Sequence, residues 1–196
     1  FGAAVGTTVL HKTHSMVPQL QLATVLARSL RRVERCHRDF VLMLGGEASR
    51  YIERSESATS QLRSLQERDG VTTRVVPPIV RGVPSLDKLH AWRLTNYSRV
   101  LVLDADTMVL RSLDYLFALP EPFVIAHHST DIVQLVCGLP TERRAMSSLF
   151  VMQPGDATYM ALEQAAVRQN RFRLTHYSEQ MMVACFFANV SRTLPS

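Results

Sequence analysis

Apolar positions along the chain follow two rhythms that alternate from the first residue. Ala3 to Leu10 is rich in Val and Thr and reads as a strand, and a polar turn follows over His11 to Ser15. From Pro18, the residues Leu22, Val25, Leu26, Leu30 and Val33 recur at helical spacing with arginines opposite, which predicts an amphipathic helix to about Cys36. Pro18 suits its first turn. Phe40-Val41-Leu42-Met43-Leu44, ended by Gly45-Gly46, is a short continuous apolar run, the pattern of a strand covered on both faces.

Ser57 to Asp69 predicts a second helix with Leu62 and Leu65 inward, terminated by Gly70 before a strand over Val71 to Val76. Pro77-Pro78 opens a loop to Pro84, and Leu86, Leu89, Trp92 and Leu94 predict a helix over Ser85 to Tyr97. Val100-Leu101-Val102-Leu103 is the most hydrophobic strand and runs directly into Asp104. Pro122 to Ala126 and Ser148 to Met152 are further candidate strands with a loop over His127 to Arg144 between them, and Asp156 to Arg168 and Glu179 to Ala188 read as helices. Strands and helices that alternate throughout predict an α/β fold with helices on both faces of a mainly parallel sheet, and ligands in such sheets bind beyond the carboxyl ends of the strands.

The 196 residues, 46% of them hydrophobic, suffice for one buried core, so a single domain over 1–196 is expected. The chain starts at Phe1 and stops after Leu194-Pro195-Ser196 without a closing element, which predicts a C-terminally truncated fragment. The net charge of +5 comes from scattered arginines, with Arg28, Arg31, Arg32, Arg35 and Arg38 spread as on a solvated helix face. That excludes a nucleic-acid tract with interleaved aromatics. Cys36, Cys137 and Cys185 are far apart with no Cys-x-x-Cys pair, so neither a disulfide framework nor structural zinc is expected, and a reducing, cytoplasmic setting is favoured. Asn96-Tyr97-Ser98 and Asn189-Val190-Ser191 fit the glycosylation sequon but fall in segments that read as structured. No apolar run reaches a membrane span. A membrane anchor, and with it a Golgi-luminal setting, would have to lie outside the chain.

Two carboxylates one residue apart, Asp104 and Asp106, stand at the end of a buried strand, where each raises the pKa of the other unless a cation neutralises them. Manganese or magnesium combines protein carboxylates with phosphate oxygens, so an Asp-x-Asp pair is suited to bridge a diphosphate. The alternative is a pair of helix or turn caps before Thr107. Lys88 lies within reach of such a phosphate, or is an exposed helix lysine.

The stretch from Asp87-Lys88-Leu89-His90-Ala91-Trp92 through Leu103-Asp104-Ala105-Asp106 to Met108-Val109-Leu110 resembles the donor-site region of the family 8 glycosyltransferases, within them the glycogenin branch. Leu113-Asp114-Tyr115-Leu116-Phe117 resembles that family's Ile-Asp-Glu-Leu-Phe, and Ser147 to Pro154 its Asn-Ser-Gly-Val-Phe-Val-x-x-Pro strand. The resemblance implies the GT-A fold and a retaining transferase that moves a hexose from a UDP-sugar to a glycan or protein acceptor, with manganese bridging the diphosphate. It implies Asp104 and Asp106 as metal ligands, Ala105 at the ribose, Lys88 at the donor and the Thr7 to His11 segment at the uracil. Glu179-Gln180 falls where the family carries Asp-Gln beside the sugar, so a carboxylate there would stabilise an oxocarbenium-like transition state; otherwise Glu179 is an acidic first-turn residue favoured by the helix dipole. Self-pairing into a homodimer stays open.

Met146, Ser148 and His176 depart from the family pattern, and its downstream His-x-x-Gly ligand has no counterpart in the chain. These departures motivate a second reading, a non-catalytic UDP-sugar-binding relative. A haloacid-dehalogenase-like phosphatase also uses Asp-x-Asp after an apolar strand. That class wants Thr or Val where this chain has Met108, and carries the motif on its first strand.

Overall fold

The computed structural model describes residues 4–10, 16–34, 37–127, 145–171, 179–187 and 192–194. Strand β1 (Ala4–Leu10) leads to helix α1 (Met16–Val33), β2 (Asp39–Gly45), α2 (Gly46–Arg54), α3 (Glu56–Asp69) and β3 (Val71–Val76). A 3₁₀ segment (Pro84–Arg93) precedes β4 (Val100–Leu103), and a second one (Asp114–Ala118) precedes β5 (Phe123–His127). Then come β6 (Ala145–Met152), α4 (Asp156–Arg171), α5 (Glu179–Phe186) and β7 (Arg192–Leu194).

The strands form one seven-stranded sheet in the order β3-β2-β1-β4-β6-β5-β7. β1, β2, β3 and β4 pair in parallel, β6 runs antiparallel to both β4 and β5, and β7 is parallel to β5. The mainly parallel sheet expected from the sequence is therefore present, with one reversed strand. Side-chain alternation splits the core cleanly, because successive residues of a strand point to opposite faces. Phe40, Leu42, Leu44, Leu101, Leu103 and Val151 pack under α1, α2 and α3. Val41, Met43, Val100, Val102, Phe150 and Met152 pack on the other face with Trp92 and with the apolar residues of α4 and α5. On that face Trp92 stacks on Phe150 and Phe187 at centroid distances of 5.3 and 5.7 Å.

Local chemistry explains several boundaries. Gly70 ends α3 in the left-handed conformation, φ 56°, with its N–H donating to Leu65 O; a side chain there would strain the backbone and press on the Arg31 guanidinium. Ser55 caps the start of α3 by accepting from the Ala58 N–H. Arg28 grips Asp69 in a fork, Nε to Oδ1 at 2.9 Å and Nη2 to Oδ2 at 3.2 Å, and so ties α1 to α3 instead of standing as a purely solvated charge.

Other details differ from the pattern reading. The helix expected over Ser85 to Tyr97 is a 3₁₀ segment that stops at Arg93, and residues 94–97 form a turn. Helix α2 follows Gly45 without a break, a nine-residue element that the pattern reading did not place. The inner face of α1 is carried by Met16, Leu20, Ala23, Leu26, Ala27 and Leu30, whereas Leu22 and Val25 are exposed. Cys185 is disulfide-bonded, which overturns the expectation that three widely spaced cysteines carry no disulfide. Its partner lies outside the described residues. Among the described residues no helix is long and apolar enough to cross a membrane.

Candidate functional site

β4 is buried along its whole length between the two helical layers, and Val100 and Val102 pair with β1 while Leu101 and Leu103 face α1. Its last residue hands over to Asp104, whose N–H donates to Ser148 O on β6 at 3.0 Å. The chain then turns: the Thr107 N–H donates to Asp104 O at 3.1 Å, so Ala105 and Asp106 are the two central residues of a tight turn. The turn projects beyond the carboxyl end of a central strand, where open α/β sheets place their ligands.

The two carboxylates are in unlike settings. Asp104 is part-buried and its Oδ1 accepts from Lys88 Nζ at 2.6 Å, with side-chain exposures of 35% for the aspartate and 12% for the lysine. Asp106 is exposed and makes no hydrogen bond or ion pair among the described residues. No helix starts at Thr107, and neither carboxylate takes a backbone N–H there, so helix capping does not account for the pair. The main chain of Asp104 closes the turn and leaves its side chain to Lys88. Lys88 in turn is held by the 3₁₀ segment, whose Leu86, Leu89, Ala91 and Trp92 are buried. It is thus not an exposed helix lysine.

Thr7 lies on β1 opposite Val102 of β4. Ala105 packs partly buried against the α1 layer. Glu179 and Gln180 open α5, as the pattern predicts, and the described part of that helix reaches the core through Met182 and Val183. His11 and His176 lie outside the described residues. Among the described residues no three His, Cys, Asp or Glu side chains gather into a metal cluster.

Pattern reading missed a concavity of about 320 Å³ at the carboxyl end of β2, where Gly45, Gly46 and Arg50 face Arg81, Gly82 and Asp87. The Gly45-Gly46 pair at the carboxyl end of a buried strand was the available signal. Asp87 is buried, its carboxyl pushed up to about 6 by desolvation, although the Ile79 N–H donated to it at 3.0 Å works the other way. His90, three residues on, is likewise buried, is paired with Pro77 O at 2.8 Å and stacks on Tyr159 at 5.4 Å. Burial pulls its pKa down, which favours a neutral packing group there.

The fold defines the class: the chain adopts the GT-A architecture of glycosyltransferases. It matches the glycosyltransferase GlyE of Streptococcus pneumoniae TIGR4 with a TM-score of 0.65 at 14% identity, over 99% of this chain and 45% of that one. Within that class, sequence similarity points to the glycogenin-like family 8 enzymes. Glycogenin-1 of Caenorhabditis elegans is 32% identical over 179 residues, 90% of this chain and 38% of that protein. UDP-glucuronate:xylan alpha-glucuronosyltransferase 1 of Arabidopsis thaliana is 28% identical over 124 residues, 63% of this chain and 18% of that protein. The chain thus spans well under half the length of these curated relatives. No family model matches it.

Proposed function

We propose that this chain is the donor-binding domain of a retaining glycosyltransferase that moves a hexose from a UDP-sugar to a glycan or protein acceptor. The observation that carries this reading is the Asp104–Asp106 turn at the carboxyl end of β4, with the Lys88 ammonium 2.6 Å from Asp104. Two carboxylates on one turn, with a single positive charge beside them, suit a divalent cation: oxygen donors, one of them open to solvent. Asp104 and Asp106 would hold manganese or magnesium, which would offset charge building on the leaving diphosphate. Lys88 supplies a fixed cation at the same place. Thr7, within β1, and His11, just after it in sequence, would border the base, and Ala105, lacking a bulky side chain, would let the turn backbone approach the ribose. Glu179 and Gln180 would flank the sugar and stabilise positive charge at its anomeric carbon.

The Asp-x-Asp motif stands on β4, the fourth strand in sequence and the fourth across the sheet, which is at odds with a dehalogenase-like phosphatase, where it ends the first strand. A UDP-sugar-binding relative without turnover is the remaining second reading, motivated by Met146 and His176. UDP with manganese at about a hundredfold over its Kd should add roughly 2.7 kcal/mol to stability, or about 5 to 10 °C in Tm. Asp106→Asn should abolish that increment and leave the ligand-free Tm unchanged or slightly higher, since it relieves carboxylate repulsion. A folded protein with no shift would reject the donor site. Slow hydrolysis of UDP-sugar by the same sample separates an enzyme from a binding relative.

A further inference from the structure

We propose that Asn96 is an N-glycosylation site, and hence that the chain folds in an oxidising, luminal compartment. The proposal is independent of the donor site and stands or falls separately. The sequon Asn96-Tyr97-Ser98 has no proline at its central position. The Tyr97 N–H donates to Leu94 O at 3.0 Å, which makes Thr95 and Asn96 the central pair of a tight turn, and both are exposed, as is Ser98. The Asn96 amide has no hydrogen bond among the described residues. Its neighbours hold the turn out from the body: Leu94 is buried, and Tyr97 Oη donates to Asp39 Oδ2 at 2.8 Å. An asparagine presented on an anchored, solvent-facing turn is what an oligosaccharide-transferring enzyme needs to reach.

Position and redox state both fit. The turn precedes Val100, which pairs with Ala4 at the start of β1, and Tyr97 reaches Asp39 at the start of β2. Asn96 therefore sits at the amino ends of the parallel strands, and Asp104 and Asp106 at the carboxyl end of β4, so a glycan would stand on the opposite rim from the donor site. The disulfide at Cys185 is a second, separate sign of the same compartment, because such bonds persist where thiols are not kept reduced. In the modification the amide nitrogen of Asn96 attacks the anomeric carbon of an oligosaccharide carried on a lipid diphosphate. The carbon–nitrogen bond forms, the carbon–oxygen bond to phosphate breaks, the lipid diphosphate leaves with the bonding electrons, and the amide loses one proton.

The test uses full-length protein from the cells that make it, treated with a peptide N-glycosidase in heavy-oxygen water and digested with trypsin, which cuts after Arg93 and Arg99. The 94–99 peptide should carry a heavy-labelled aspartate at position 96. On gels the untreated protein should lose one glycan increment in Asn96→Gln and in Ser98→Ala, and keep it in Ser98→Thr. Asn96→Gln should leave the Tm of the deglycosylated protein unchanged, because the side chain is exposed on its turn. Recovery of the peptide entirely as unlabelled asparagine overturns the proposal, as does a glycan increment removed only by Asn189→Gln.

Discussion

Two clusters in this chain are built from the same parts, a pair of carboxylates and one cation, and end in opposite states. At the end of β4, Lys88 meets Asp104 while Asp106 stays open to solvent. Beneath α1, the Arg38 guanidinium is bonded to Asp114, lies 3.7 Å from Glu34 and covers the Phe117 ring at 4.4 Å. Ser112 Oγ donates to the other oxygen of Asp114 at 2.7 Å. Side-chain exposures of 12% for Arg38 and 7% for Glu34 mark the second cluster as closed, and desolvation pushes Glu34 up to about 7 despite the arginine. A closed cluster is satisfied within the protein and fixes how residues 34–38 join the 114–117 segment. The open one leaves a carboxylate facing solvent beside an ion pair at a strand end, where a charged ligand can complete it. Composition alone does not separate the two; satisfaction does.

The largest effect should come from the closed cluster. Arg38→Met strands two part-buried carboxylates and should cost about 3 kcal/mol, lowering Tm by roughly 10 °C; a loss under a third of that in a denaturant titration would show that the cluster is not structural. Next is Glu34→Gln. The folded-state pKa of Glu34, about 7, lies above its ordinary 4.5, so the stability this group contributes is full below about 4.5 and is lost as pH rises to about 7. Glu34→Gln should flatten that slope and gain about 1 kcal/mol at neutral pH, after discounting for solvent. A mutant stability profile parallel to that of the parent between these pH values would contradict it. Smallest is Lys88→Met without ligand, under about 1 kcal/mol because its partner carboxylate is partly solvated. The same change should weaken the UDP–manganese stabilisation, and a ligand-free loss as large as that of Arg38→Met would erase the distinction between the clusters.

Strand and helix assignments with strong periodicity were legible from residues alone: the 40–44 run, the 100–103 run and the Gly70 stop each lie where pattern places them, because burial on two faces and a left-handed cap leave few alternatives. The 84–93 segment read as an α-helix because Leu86, Leu89 and Trp92 also satisfy the tighter 3₁₀ period of three. α2 went unseen because its nine residues are shorter than the window over which helical period is read, and it follows the Gly45-Gly46 pair that reads as a break. Leu22 and Val25 fit the core on spacing, yet the neighbouring stripe through Leu20, Ala23, Ala27 and Leu30 won the contact with the sheet.

The sequence by itself determined that the chain alternates strands and helices, that its most apolar strand ends in Asp104-Ala105-Asp106, and that the segment around it resembles a nucleotide-sugar transferase, since those are properties of local pattern and short motifs. Only the tertiary structure decided that Lys88 reaches Asp104, that Arg38 instead closes onto Asp114 and Glu34, that β6 runs antiparallel between β4 and β5, and that Asn96 stands on an exposed turn. The reason is physical. Which charges find partners depends on distances set by packing two helical layers against one sheet, and side chains 16 and 76 residues apart meet only through that packing.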